Sequence, residues 1–265
     1  MEIEIQPGEY EVLPPENLSA FKKFYFKILD FSSSYGGWKL VLGLCLFFYA
    51  LIFVLPYPSQ LSMRLPADAL DAKTVVFGSN SGFFIFSAKQ YFRLVTANFL
   101  HFGLIHLGSN LLGLYIIGGL LQKIWDARSV FILFLITGIG ANLLTLFIKA
   151  SNSAGASGGV FGLMGGLLAY FLWNKSLDKA LRDQMLKQLG SILALNLFIG
   201  IVVPSIDLIG HFGGLITGVV LGKIFLLSTF SKKIKINFWI WFFLVLCVIV
   251  ALIFALISYF FIGFL

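Results

Sequence analysis

Gly155-Ala156-Ser157-Gly158-Gly159-Val160-Phe161-Gly162-Leu163-Met164-Gly165-Gly166 opens an apolar run of helix length, with one hydroxyl nucleophile among six glycines. A helix so poor in side chains can lie almost backbone to backbone against a neighbour. A serine in its first turn meets free backbone N–H groups and the positive end of the helix dipole, which suits holding an oxyanion. Whether Ser157 does chemistry depends on what the rest of the chain brings to it.

The rest of the chain is membrane-like. Of 265 residues, 59% are apolar and 12% charged, more apolar surface than a soluble domain of this size can hide. The fold class read from this is an all-α membrane protein, a polytopic helical bundle. Seven apolar runs, near 38–57, 104–122, 129–148, 156–173, 187–204, 207–227 and 237–263, each approach the ~20 residues that cross about 30 Å of hydrocarbon. The fifth and sixth nearly touch, which predicts a tight turn at Pro204-Ser205. Residues 1–37 form a short polar segment with Glu2, Glu4, Glu9, Glu11 and Glu16. It lacks the apolar core and basic flank of a cleavable signal peptide, so the first span is expected to direct insertion. Residues 58–103 are the one long connection, polar at first and then aromatic. No piece of it is long enough to span, and it is expected to lie in the headgroup layer. Residues 38–227 then make a six-helix core, and 228–265 a linker and a seventh helix whose start, Trp239 and Trp241 beside three lysines, reads as an interface anchor.

The net charge of +7 has a topological reading that needs no nucleic acid. With the N-terminus inside, fourteen of the 19 Lys and Arg fall in inner segments and five in outer ones. The positive-inside rule thus places the N-terminus in the cytoplasm and, after seven crossings, the C-terminus outside. The short N-terminal segment, without an organelle presequence, makes a cell (plasma) membrane the expected location. Cys45 and Cys247 both lie in spans, so neither a structural disulfide nor a metal site is expected.

Ionisable groups in spans are costly and call for an explanation. His101, His106 and His211 all fall at or near the outer ends of spans. His106 and Asn110, four apart, share one helix face. The second, fourth and sixth spans run in the same direction, so His106, Asn110, Ser157 and His211 reach similar depth. Gly210, Gly214, Gly218 and Gly222 form a small-residue stripe in the sixth span, matched by Gly158, Gly162 and Gly166 in the fourth. Two such helices can pack closely, bringing Ser157 near His211. Read alone, the stripes serve packing; His106 and Asn110 at the same level argue for chemistry.

That chemistry is acyl transfer. Neutral histidine suits removal of a serine proton near pH 7, and the Ser157 N–H, the Asn110 amide and the His106 ring are oxyanion donors. No pair of intramembrane aspartates exists for an aspartyl protease, no His-Glu-x-x-His for zinc, and no mid-span acid for a proton-coupled transporter. His101 and His106, five apart, are expected to face different ways. Asp207, four before His211, either orients the base as a third acid or starts its helix. His101 reads as structural, and Ser109 and Thr217 as packing hydroxyls.

Over residues 38–227 these motifs together resemble the rhomboid intramembrane serine proteases. Gly155-Ala156-Ser157-Gly158 is similar to the Gly-x-Ser-Gly nucleophile motif, His106-Leu107-Gly108-Ser109-Asn110 to the His-x-x-x-Asn element, and His211-Phe212-Gly213-Gly214-Leu215-Ile216-Thr217-Gly218 to the His-x-x-Gly-x-x-x-Gly helix. The resemblance implies a Ser157–His211 dyad without a third acid and an oxyanion site from His106, Asn110 and Ser157. It also implies an outward-opening aqueous cavity, no metal or cofactor, and transmembrane protein substrates entering by a lateral gate at the fifth span. Two positions depart from the family: Phe92 precedes Arg93 where tryptophan is common, and Gln122 stands where glutamate often follows the second span. A catalytically inactive relative that binds transmembrane clients is the alternative; such relatives usually lack the serine or the histidine, and this chain has both.

Overall fold

The computed structural model describes residues 37–55, 69–149, 152–231 and 238–261. The polar segment before Gly37, the start of the long loop and the lysines at 232, 233 and 235 lie outside the described residues, as do the side chains of Trp239 and Trp241.

Ten helices carry the described chain: α1 (Gly37–Val54), α2 (Ala69–Val76), α3 (Gly82–Phe86), α4 (Arg93–Thr96), α5 (Leu104–Leu121), α6 (Ala127–Ile148), α7 (Ser157–Trp173), α8 (Lys179–Val202), α9 (Leu208–Ser231) and α10 (Phe238–Phe261). Five of them, α1, α5, α6, α8 and α9, are long and apolar enough to cross a membrane; α7, at 17 residues, and the Val245–Ile257 part of α10 are shorter apolar helices. The seven runs expected from hydropathy thus correspond to seven helices. The main boundary shift is α8, which starts at Lys179 rather than near 187. Its first two turns are charged, and the Asp178 carboxylate caps them by accepting from the Leu181 N–H at 3.0 Å, a signal a hydropathy window does not register. The tight turn after α8 closes with a 3.0 Å bond from the Ile206 N–H to the Val203 carbonyl.

Helix α7 is the hub. Nearly its whole surface is buried, by α6 on one side and α9 on the other. The glycine stripes meet in register: a methyl at Gly214 would overlap the Gly158 carbonyl, and one at Gly218 the Gly162 carbonyl. A methyl at Gly222 would stand 2.8 Å from the Gly166 Cα. Since lipid removes the hydrophobic drive for helix association, this backbone-level contact is what holds the pair together. Helix α8 lies at the other extreme, with only Leu189, Leu193 and Gly200 buried.

Helix α5 contains a π-turn at Leu114–Gly118, where Gly118 faces the Trp38 side chain on α1 too closely for any Cβ. Such insertions relieve local misfit between a helix and its neighbour.

The described part of the long loop is two-faced: Val76, Phe77, Ile85 and Phe99 are buried against the helices, while Phe83, Phe86 and Tyr91 stay exposed. Arg93 organises this. It is fully buried, donates from Nη1 to the Val75 carbonyl at 2.6 Å and the Ser79 carbonyl at 3.1 Å, and from Nε to Gln90 Oε1 at 2.8 Å. Its guanidinium lies 4.2 Å from the Phe84 ring centre. One cation thus ties three separate loop segments together, two of its guanidinium nitrogens bonding in different directions while the planar group lies over a ring.

Helix α10 packs on α4, α2 and α6 through buried Val248, Ala251, Ala255 and Tyr259. Phe92, the departure from tryptophan, stacks on Phe254 at 6.1 Å, and Phe77 on Tyr259 at 4.8 Å. The C-terminal helix therefore braces the loop. Phe254→Ala is expected to destabilise the protein by about 1 kcal/mol, the worth of such an aromatic pair. A lowered melting temperature in detergent checks this, and an unchanged one contradicts the brace.

Candidate active site

The approach to Ser157 is stitched to the loop. The Asn80 N–H donates to the Ser153 carbonyl at 2.8 Å, the Ser153 N–H returns to Asn80 at 3.0 Å, and the Gly155 N–H donates to the Ala97 carbonyl at 2.9 Å. Gly155 then turns with φ 141°, a conformation side-chain-bearing residues rarely adopt. There is also no space for a side chain: a methyl on Gly155 would sit 2.7 Å from His106 Nε2 and 3.7 Å from Ser157 Oγ. Those two atoms therefore face the same small volume beside Gly155. Ser157 is the first residue of α7, so the N–H groups of its first turn have no helical acceptor.

His211 lies one turn into α9, beside Gly210 and four residues ahead of Leu215, whose carbonyl crowds Gly165 of α7. Its ring stacks flat on Phe161 at 4.1 Å, tilted only 13°. Phe161 is one helical turn after Ser157, so one face of α7 carries the hydroxyl and the platform for the imidazole. Ser157 and His211 line one cavity of about 20 Å³ together with Gly155, Gly158, Asn142 and Asp207, room for a water molecule. No hydrogen bond joins Ser157 Oγ to the imidazole among the described residues; nucleophile–base pairs often tighten only around substrate.

Asp207 has the helix-start role. Its Oδ1 accepts from the Gly210 N–H at 3.0 Å and its Oδ2 from the Thr145 hydroxyl at 2.6 Å. His211 Nδ1 is buried with no hydrogen-bond partner among the described residues, so no acid orients the ring there; Phe161 does so by stacking.

His106 Nδ1 accepts from the Phe102 N–H at 3.4 Å, which leaves the ring proton of a neutral imidazole on Nε2, the atom beside Gly155. Asn110, buried on the same face of α5, donates one amide hydrogen to the His106 carbonyl at 2.8 Å and keeps a second one free to bond elsewhere. Ser109 and Thr217 bond back to their own helices, to the His106 carbonyl at 2.9 Å and the Gly213 carbonyl at 2.7 Å.

His101 does not face away from His106. It precedes α5 instead of lying on it, so helical spacing does not apply, and the two rings meet edge to face at 5.1 Å. It is fully buried and accepts the Ala156 N–H at Nε2, 3.3 Å away. Phe161 and this contact of His101 were not legible in the sequence. The spacing of Phe161 from Ser157 was the one available signal for the first; nothing local signals the second.

The Rhomboid domain model matches residues 88–228, more than half of the chain. The chain belongs to the rhomboid family. It is 39% identical over 161 residues to RHOMBOID-like protein 6, mitochondrial, of Arabidopsis thaliana, a match covering 60% of this chain and 48% of that protein. It is 38% identical over 171 residues to RHOMBOID-like protein 1 of the same plant, covering 64% of this chain and 41% of the relative. Rhomboid protease GluP of Bacillus subtilis (strain 168) is 33% identical over 148 residues, with 54% of this chain and 28% of that protein covered. The chain thus matches under half the length of each of these relatives. The rhomboid domain takes in α5 to α9 and the last third of the loop, from before Arg93 to the last turn of α9, so every residue lining the cavity is inside it. Helix α10, which braces that loop, lies beyond the matched region.

Proposed function

We propose that this rhomboid is an intramembrane serine endopeptidase acting on transmembrane protein substrates. The observation that carries the reading is the shared cavity: a helix-start serine and an imidazole held flat by an aromatic ring open onto one water-sized space, and His106 Nε2 lies beside Gly155, one of the residues lining it.

In the proposed reaction His211 takes the Ser157 proton as Oγ attacks the scissile carbonyl. Charge developing on the carbonyl oxygen is met by the His106 Nε2–H, the Asn110 amide and the Ser157 backbone N–H. The imidazolium then gives its proton to the leaving amine, and a water, activated by the same histidine, hydrolyses the ester. No metal or cofactor enters these steps. The loosely packed α8 is the side on which a substrate helix enters, since moving it breaks the fewest buried contacts. The loop charges orient the protein with the N-terminus cytoplasmic and the C-terminus outside.

A fluorophosphonate probe tests the reading directly. Attack by Ser157 Oγ forms an O–P bond and expels fluoride while the base takes the hydroxyl proton. Labelling of the wild type that disappears in Ser157→Ala supports the enzyme; an unlabelled wild type favours a client-binding protein without catalysis. Asn110→Ala is expected to lower the cleavage rate on the order of 10²–10³-fold, the usual scale for one oxyanion donor. A wild-type rate in that variant removes Asn110 from the site.

A further inference from the structure

We propose that His101 is a positioning residue of the active site, whose neutral imidazole fixes the nucleophile turn and the His106 ring in one mutual geometry. The inference rests on the serine-protease reading and extends it to a residue outside the dyad and the oxyanion donors.

Three observations carry it. His101 is fully buried, and its Nε2 accepts the N–H of Ala156, the residue that enters the helix of Ser157. Its ring also meets His106 edge to face at 5.1 Å, while His106 Nε2 faces the volume it shares with Ser157 Oγ. One side chain thus touches both halves of the site: the backbone carrying the nucleophile and the ring carrying an oxyanion donor. The third observation is that the bond needs an acceptor, which an imidazolium cannot be. Burial, with the neighbouring His106, holds the His101 pKa down at about 3, so the acceptor persists across the working pH range. Rings in contact transmit a displacement directly, and a misplacement of 1 Å at a reacting centre can cost about 10²-fold.

The experiment compares wild type, His101→Gln and His101→Leu in detergent, reading the rate constant of fluorophosphonate labelling at saturation, the half-saturating probe concentration and the melting temperature. Glutamine keeps a neutral acceptor oxygen; leucine keeps bulk without one. The expected result is a saturating rate within about threefold of wild type for His101→Gln and a loss of about 10- to 100-fold for His101→Leu, with the half-saturating concentration unchanged in both. A wild-type saturating rate in His101→Leu overturns the proposal. So does equal loss in both variants, which would make the acceptor irrelevant. His101→Phe is the second acceptor-free variant; if it and His101→Leu both fail to fold while His101→Gln folds, the bond holds the fold and the positioning role is overturned. A wild type not labelled at Ser157 sinks the protease reading itself and this role with it, whereas a labelled wild type with an unaffected His101→Leu sinks the role alone.

Discussion

Ser157→Ala and His211→Ala are each expected to abolish cleavage of a transmembrane substrate under the proposed dyad, with a loss on the order of 10⁴–10⁶-fold, while the melting temperature stays within a few degrees of wild type. The magnitude follows from mutual dependence: without the hydroxyl there is no acyl-enzyme, and without the base the hydroxyl is a weak nucleophile, so either deletion removes nearly the whole effect. The stability half follows from the packing. Ser157 Oγ makes no hydrogen bond to His211 among the described residues, and His211 Nδ1 is already unpartnered, so truncating either breaks no bonded network. The double variant is therefore no worse than the singles. Cleavage by either single variant within tenfold of wild type sinks the dyad. Asp207→Asn separates the roles further: the amide oxygen can still accept the Gly210 N–H, so cleavage persists if Asp207 serves to start α9.

Gly218→Val carries the largest expected effect on stability, a loss of at least about 3 kcal/mol, at the top of the range for overpacking. The usual escape from an added methyl is rotation of a neighbouring side chain. Here the atom in the way is the Gly162 carbonyl of α7, part of a helix backbone that cannot rotate aside. Helix α7 would have to move off α9, carrying Ser157 away from His211. Gly43→Val is the control: it lies on the exposed face of α1 with nothing within 4 Å of its Cβ position, and it should melt like wild type. The measurement is the melting temperature and the yield of monodisperse protein in detergent. A Gly218→Val protein with wild-type stability contradicts direct contact between the stripes.

Sequence alone determined the membrane class, the seven helices, and the pairing of α7 with α9. Each rests on local or periodic signals: apolar runs of spanning length, and glycines at every fourth residue on two chains of helix. Those signals are one-dimensional, and lipid enforces them strictly because backbone polar groups in hydrocarbon must be satisfied within the helix. The candidate site residues were legible for the same reason, as polar groups in spans that carry a cost unless used.

What only the tertiary structure decided was everything held by contacts between distant segments. Asp207 turned out to be committed to Gly210 and Thr145, and the spacing of four from His211 is equally compatible with either role. His101 meets His106 because the chain turns before α5 begins, a boundary that five-residue spacing does not encode. The described part of the long loop buries one face because Arg93 finds two carbonyls and an aromatic face, and α10 closes over it through Phe254. The physical reason is common to all four cases. A buried polar or aromatic side chain must find partners somewhere, and which partners it finds depends on how separate helices and loops pack, which no single stretch of sequence contains.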